Sequence, residues 1–119
     1  MKIHTGIDMV KISNIEELIK NPKNVEKTFS ESELIDVKPH KLAGIFALKE
    51  AFFKASQIKI KKWKEIVVKK HDNGKPYIVF DNDLIDFKVS SMDCSISHDG
   101  EYVIGNVVLL EDWEFIFMI

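Results

Sequence analysis

From Lys2 to Ile12 polar and apolar positions alternate and β-branched side chains are frequent, so this stretch is predicted to be a strand. Ser13 and Glu16 then stand at the spacing of a capping box, which predicts a short helix ending near Asn21-Pro22. Ser30 and Glu33 repeat that spacing just before Leu34 and Ile35. After Pro39 the period lengthens. Leu42, Phe46, Lys49 and Phe53 fall at helical spacing, and Ala43, Ala47 and Ala51 fall at steps of four, so a long helix is predicted to end near Gln57. From Glu65 alternation returns. Ile66 and Val68 stand two apart on one strand face, Asp72-Asn73-Gly74 carries turn chemistry, and Tyr77-Ile78-Val79-Phe80 reads as the returning strand. Phe87 to Ser90, Cys94 to Ser97 and Tyr102 to Leu110 read as further strands. This order predicts an α+β fold: a mainly antiparallel sheet packed against one long helix. No linker, repeat or low-complexity tract interrupts it, so one domain is expected over residues 1–119.

Composition narrows the chemistry. The 119 residues are 45% hydrophobic and 30% charged, which suits one packed core and not a disordered chain. A net charge of -2 gives no global pull towards nucleic acid or an anionic membrane, and neither partner is expected. Every basic side chain apart from His is Lys, so a phosphate must be met by ammonium groups, His, backbone N–H groups or a metal. The single cysteine, Cys94, cannot form an internal disulfide, which fits a reducing cytoplasm. The beginning of the chain lacks the apolar run of a signal peptide, and no window approaches a membrane span. The segment from Trp113 to Ile119 is aromatic and apolar but short, and is expected to dock on its own core or on a neighbouring subunit.

Several residues have two readings. Asp8 lies in the run Gly6-Ile7-Asp8-Met9-Val10, where it shares a face with Gly6 and Val10. A carboxylate there needs a partner, a hydrogen bond or a metal; the plain reading is a strand-end cap. Glu50 and Lys54 share a helix face, either as a surface ion pair or as parts of a site. Lys49 and Lys54 point in different directions, one to the surface and the other to a site. The run Ser95-Ile96-Ser97-His98-Asp99-Gly100 can present a hydroxyl, an imidazole and turn amides to one ligand, although a lone His is usually structural. Asp72-Asn73-Gly74-Lys75-Pro76 is by default a hairpin turn, and it can also bring a backbone edge and an ammonium close to a nucleotide.

Taken in order, the N-terminal GID, the helix LAGIFALKEAFFKA, the turn NGKPYI and the segment SISHDGEYVIGNVV resemble the holo-acyl-carrier-protein synthase family of phosphopantetheinyl transferases. The resemblance spans nearly the whole chain, and F-x-x-K-E-A-x-x-K-A is its most specific piece. It implies transfer of 4'-phosphopantetheine from coenzyme A to a serine of an acyl carrier protein, with Mg2+ as cofactor and a role in fatty acid biosynthesis. It implies that Asp8 and Glu50 bind magnesium and that Lys54 contacts the coenzyme A phosphates. Gly74, Lys75 and Pro76 are similar to the loop lining the nucleotide pocket, and His98, with Ser97 beside it, to a histidine near the phosphates. The family is usually a homotrimer with active sites between subunits.

Magnesium suits this reading, because it takes oxygen ligands and commonly uses one or two carboxylates with phosphates and water. Glu50 acting through a water is the favoured acceptor for the serine proton. Two positions depart from the family pattern: Ile45 and Asn14 stand where arginine is frequent. Lys11, Lys20, Lys23 and Lys27 offer either a replacement basic surface for an acidic carrier protein or a solvated face. The departures keep alive an alternative, a catalytically silent module that binds coenzyme A or carrier protein.

Overall fold

A computed structural model describes residues 1–112; the expectation for Trp113 to Ile119 lies outside the described residues. The chain runs β1 (Lys2–Lys11), α1 (Ile12–Leu18), α2 (Pro22–Thr28), α3 (Pro39–Ser56), β2 (Val67–Lys70), β3 (Pro76–Val79), β4 (Val89–Asp99) and β5 (Tyr102–Glu111). All strand pairings are antiparallel: a three-stranded sheet in the order β1-β5-β4 and a β2-β3 hairpin. The expected α+β architecture with one long central helix is what forms.

Helix α3 is buried on nearly every side, as a helix at the centre of a core must be. Its stripe of alanines lets the sheet come unusually close. A Cβ on Gly6 would stand 1.9 Å from the Ala51 carbonyl oxygen, and one on Gly105 would stand 2.6 Å from the Ala47 carbonyl carbon. Glycine in β1 and β5 therefore meets alanine in α3 backbone to backbone. Gln57 ends the helix in the left-handed region at φ 59°, which turns the chain away.

The inner face of β1 carries His4, Gly6, Asp8 and Val10, while Ile3, Ile7 and Met9 are exposed on the outer face. This is the alternation expected from the sequence, with the carboxylate turned towards the helix and the larger apolar groups turned away. Leu42, Ala47, Phe29, Ile15 and Val103 pack around the first half of α3. Leu48, Phe52, Ile66, Val107 and Leu109 pack around its second half.

Three local expectations need correction. The Ser13/Glu16 capping box does not form: α1 starts directly from β1, with Lys11 at its N-cap and no side-chain cap. The Ile12 N–H instead donates to the Glu101 carbonyl at 2.8 Å, so the β4–β5 turn does the capping. Asn21-Pro22 marks a helix start, not an end, because the Asn21 side chain accepts from the Lys23 N–H at 3.0 Å and Pro22 occupies the first turn of α2. The two strands expected over Phe87 to Ser90 and Cys94 to Ser97 are one strand, β4, whose register shifts between Val89 and Ser91.

Ser30 and Glu33 do meet, the Ser30 N–H donating to Glu33 Oε1 at 2.9 Å. Glu33 does more than cap. It is buried against Lys49, whose ammonium lies 2.6 Å from Oε1 and also donates to the carbonyls of Thr28 and Trp63, each at 2.9 Å. Glu33 Oε2 accepts from the Val68 N–H at 2.8 Å. One buried ion pair thus ties the end of α2, α3, the Trp63 turn and β2 together. Burial pushes the Lys49 ammonium down from its ordinary value, opposed by Glu33.

Candidate active site

Of Lys49 and Lys54, Lys49 is the structural one and Lys54 the exposed one. The close glycine–alanine packing sets Lys54 over β1. Its ammonium is 3.1 Å from Asp8 Oδ1 and donates to the Ile7 carbonyl at 2.9 Å. Glu50 lies one helical turn earlier on the same face. Its carboxylate is held by Lys61, whose Nζ is 3.2 and 3.3 Å from the two oxygens. Asp8 and Glu50 are mostly covered, with 17% and 18% of their side chains exposed, yet both are reachable from solvent beside lysines that are about half exposed. The result is two carboxylates and two ammonium groups on one flank of α3.

The other sequence-predicted residues lie elsewhere. Gly74 occupies the β2–β3 turn at φ 89°, a backbone conformation that suits glycine, and its N–H donates to the His71 carbonyl at 2.9 Å. The Lys75 ammonium lies 2.9 Å from Asp93 and 3.2 Å from the Cys94 carbonyl, with its side chain about half exposed. That contact, with the Cys94 N–H, holds the Asp93 carboxyl below its ordinary range. The Pro76 carbonyl faces the Cys94 thiol at 3.4 Å. This loop is therefore docked on β4.

His98 is exposed near the end of β4 and lines a cavity of about 590 Å³ with His40, Lys41, Ile45, Lys69 and Lys70. Ser97, its neighbour, is exposed. Asp8 pairs with Gly105 of β5, and Gly105 pairs with Ile96 of β4, so β5 stands between the carboxylate and the His98 strand. Two strand spacings put the Asp8 and Ile96 backbones about 10 Å apart. A single chain thus brings Asp8, Glu50 and Lys54 to one flank of α3, while Gly74, Lys75 and Pro76 lie in a loop set against Asp93 and Cys94, and His98, with Ser97 beside it, lines the cavity beside Lys41 and Lys69.

Both departures from the family pattern are located. Ile45 packs into the core beside that cavity, and Asn14 is exposed on α1. Of the four lysines weighed as a basic surface, Lys20 pairs with Glu17 at 2.8 Å and Lys11 lies 3.9 Å from Glu101. Lys23 and Lys27 are exposed on α2.

Nothing in the sequence singled out Lys61 or Asp93, and Glu33 stood out only as a helix cap. Lys61 stands in a lysine-rich run after the helix, where nothing in the spacing marks which lysine turns back to Glu50. Among the described residues no group of three or more His, Cys, Asp or Glu side chains could hold a metal. The hard-oxygen donors on this flank are the two carboxylates and the backbone, which fits an ion that draws its remaining ligands from phosphate and water.

A family model described as the 4'-phosphopantetheinyl transferase superfamily matches residues 4–107. The holo-acyl-carrier-protein synthase of Nautilia profundicola is 38% identical over 112 residues, which covers 89% of this chain and 98% of that protein. This chain belongs to the holo-acyl-carrier-protein synthase family of 4'-phosphopantetheinyl transferases. A Helicobacter pylori holo-acyl-carrier-protein synthase is also 38% identical, over 87% of this chain and 94% of its own. The crystal structure of the Helicobacter pylori synthase in complex with coenzyme A superposes with a TM-score of 0.82 at 36% identity, covering 89% of this chain and 99% of that one. The chain is accordingly a transferase of the holo-acyl-carrier-protein synthase family, as its motifs imply. No helix among the described residues is long and apolar enough to cross a membrane.

Proposed function

We propose that this chain transfers the 4'-phosphopantetheine group of coenzyme A to a serine of an apo-acyl carrier protein, releasing 3',5'-ADP, and that it serves fatty acid biosynthesis in the cytoplasm. The observation that carries the reading is the pairing of Lys54 with Asp8, one helical turn from Glu50. In this reading Asp8 and Glu50 hold Mg2+, which when bound neutralises charge on the phosphate oxygens. Lys54 adds a cation on the same flank and orients the pyrophosphate of coenzyme A. The serine hydroxyl attacks the phosphorus that carries pantetheine, and the bond from that phosphorus to 3',5'-ADP breaks. Glu50 takes the serine proton through a water. Reactions of this kind depend mainly on positioning and charge neutralisation, which is what a paired set of carboxylates and ammonium groups provides.

Gly74, Lys75, Pro76, Ser97 and His98 bind the nucleotide end of the substrate. Their separation from Asp8 within one chain is consistent with a homotrimer in which one copy supplies the carboxylates and another supplies the nucleotide loop. The outer face of the sheet is suited to such contact, because Ile3, Ile7 and Met9 are 64%, 60% and 62% exposed there. Asp8→Ala and Glu50→Ala variants are expected to lose phosphopantetheine transfer while melting close to the parent. Full transfer by either variant would remove the metal-binding role assigned to these residues.

A further inference from the structure

Lys61 is the unassigned group nearest to this chemistry. Its ammonium straddles both oxygens of Glu50, at 3.2 and 3.3 Å. It also stands over two aromatic rings, 5.8 Å from the Phe53 centroid and 5.9 Å from that of Trp63. Those rings are themselves fixed. Phe53 meets Trp63 edge to face at 5.0 Å, and Phe46 stacks on Trp63 at 5.0 Å. Phe46, Glu50 and Phe53 all belong to α3, so the helix that carries the carboxylate also builds the platform beneath its partner cation. Lys61 itself remains 45% exposed. An ammonium on a flexible stem over aromatic faces can change its anion without leaving its platform.

We propose that Lys61 is a phosphate-binding residue of the transfer site, and that in the empty protein it occupies the Glu50 carboxylate until metal and pyrophosphate arrive. This rests on the reading of Glu50 as a metal-binding residue. The exchange follows from charge. Glu50 cannot give full electrostatic support to a divalent ion and to Lys61 at once, and the incoming pyrophosphate offers the released ammonium new anionic oxygens a few ångströms away. Lys54 and Lys61 then bracket the phosphates, one from the Asp8 side and one from the Glu50 side.

The exchange makes opposite demands on two binding constants. In Lys61→Gln, coenzyme A titrated calorimetrically with Mg2+ present is expected to bind roughly tenfold more weakly, or worse, because a charge-assisted contact is lost. Mn2+ titrated alone, with free ion counted by electron paramagnetic resonance, is expected to bind more tightly, because a competing cation has gone. Lys61→Arg keeps the charge and should stay closer to the parent in both titrations. Lys62→Gln, one residue along and paired with Glu65 at 3.9 Å, should change neither. Unchanged coenzyme A affinity in Lys61→Gln overturns the proposal. So does Mn2+ affinity that is unchanged, or that falls together with coenzyme A affinity, since the latter marks a structural role. Parent protein that binds no coenzyme A would instead overturn the transferase reading itself.

Discussion

Lys49 and Lys54 sit five positions apart on one helix and do unrelated work. Burial decides it. Lys49 is fully enclosed and survives there because Glu33 and two carbonyls satisfy its ammonium, while Lys54 keeps one side in water and reaches Asp8. Breaking a buried pair from one side leaves the other charge stranded, so Glu33→Gln or Lys49→Met alone should cost about 3–5 kcal/mol in urea unfolding. The double variant should cost clearly less than the sum; strict additivity would contradict the pairing. Cys94 provides a pH test. Burial raises its thiol from an ordinary 9.0 to about 11. Its contribution to stability is therefore full below pH 9.0 and is lost as pH rises through about 11. The difference in unfolding midpoint between the parent and Cys94→Ala should change over that window and stay constant below it. At this scale the sequence was half legible. Asp8, Glu50 and Lys54 stood out through motif and spacing. The Lys49–Glu33 contact spans 16 positions and joins separate elements, and no local pattern encodes it.

Helix α3 and the strands β1 and β5 were legible as elements because their periods persist over ten residues or more, whereas β4, equally long, read as two strands. Among shorter pieces the β2–β3 hairpin was legible and the boundaries of α1 and α2 were not. Asn-Pro serves both as a stop and as a capped start, and only the chain that follows decides between them. The α1 cap failed because a carbonyl from a distant hairpin took its place. Alanines at steps of four marked the helix, and Gly6 and Gly105 became meaningful only once they faced those alanines. Their roles can be graded. A Cβ at Gly105 meets helix backbone at 2.6 Å, whereas one at Gly44 meets the end of the Ile96 side chain at 3.3 Å. Gly105→Ala should therefore destabilise by about 1–3 kcal/mol or more and push α3 off the sheet, weakening transfer. Gly44→Ala should be nearly neutral, because higher helix propensity offsets a minor crowding. Equal unfolding midpoints for the two variants would contradict this packing.

At the level of the whole molecule, the sheet has one face on the helix and an outer face rich in exposed apolar groups. Alternation in β1 foretold two faces, but not that Ile3, Ile7 and Met9 would be the ones left uncovered. If that face joins three copies, Ile7→Glu should shift the mass measured by light scattering from trimer to monomer and reduce transfer with it. A parent protein that is already monomeric at working concentration would argue for a site completed within one chain. The fold and family were legible from the order of motifs along nearly the whole chain. The placement of β5 between Asp8 and the His98 strand was not, because the order of motifs along the chain does not say which strand lies between them. Intact mass spectrometry of the carrier protein tests phosphopantetheine transfer most directly. Incubated with coenzyme A and Mg2+, an apo-acyl carrier protein should gain the mass of one phosphopantetheine group, and should not gain it when the metal is chelated or its serine is replaced. A carrier protein of unchanged mass, with coenzyme A nevertheless bound, would contradict the account and leave a silent binding module in its place.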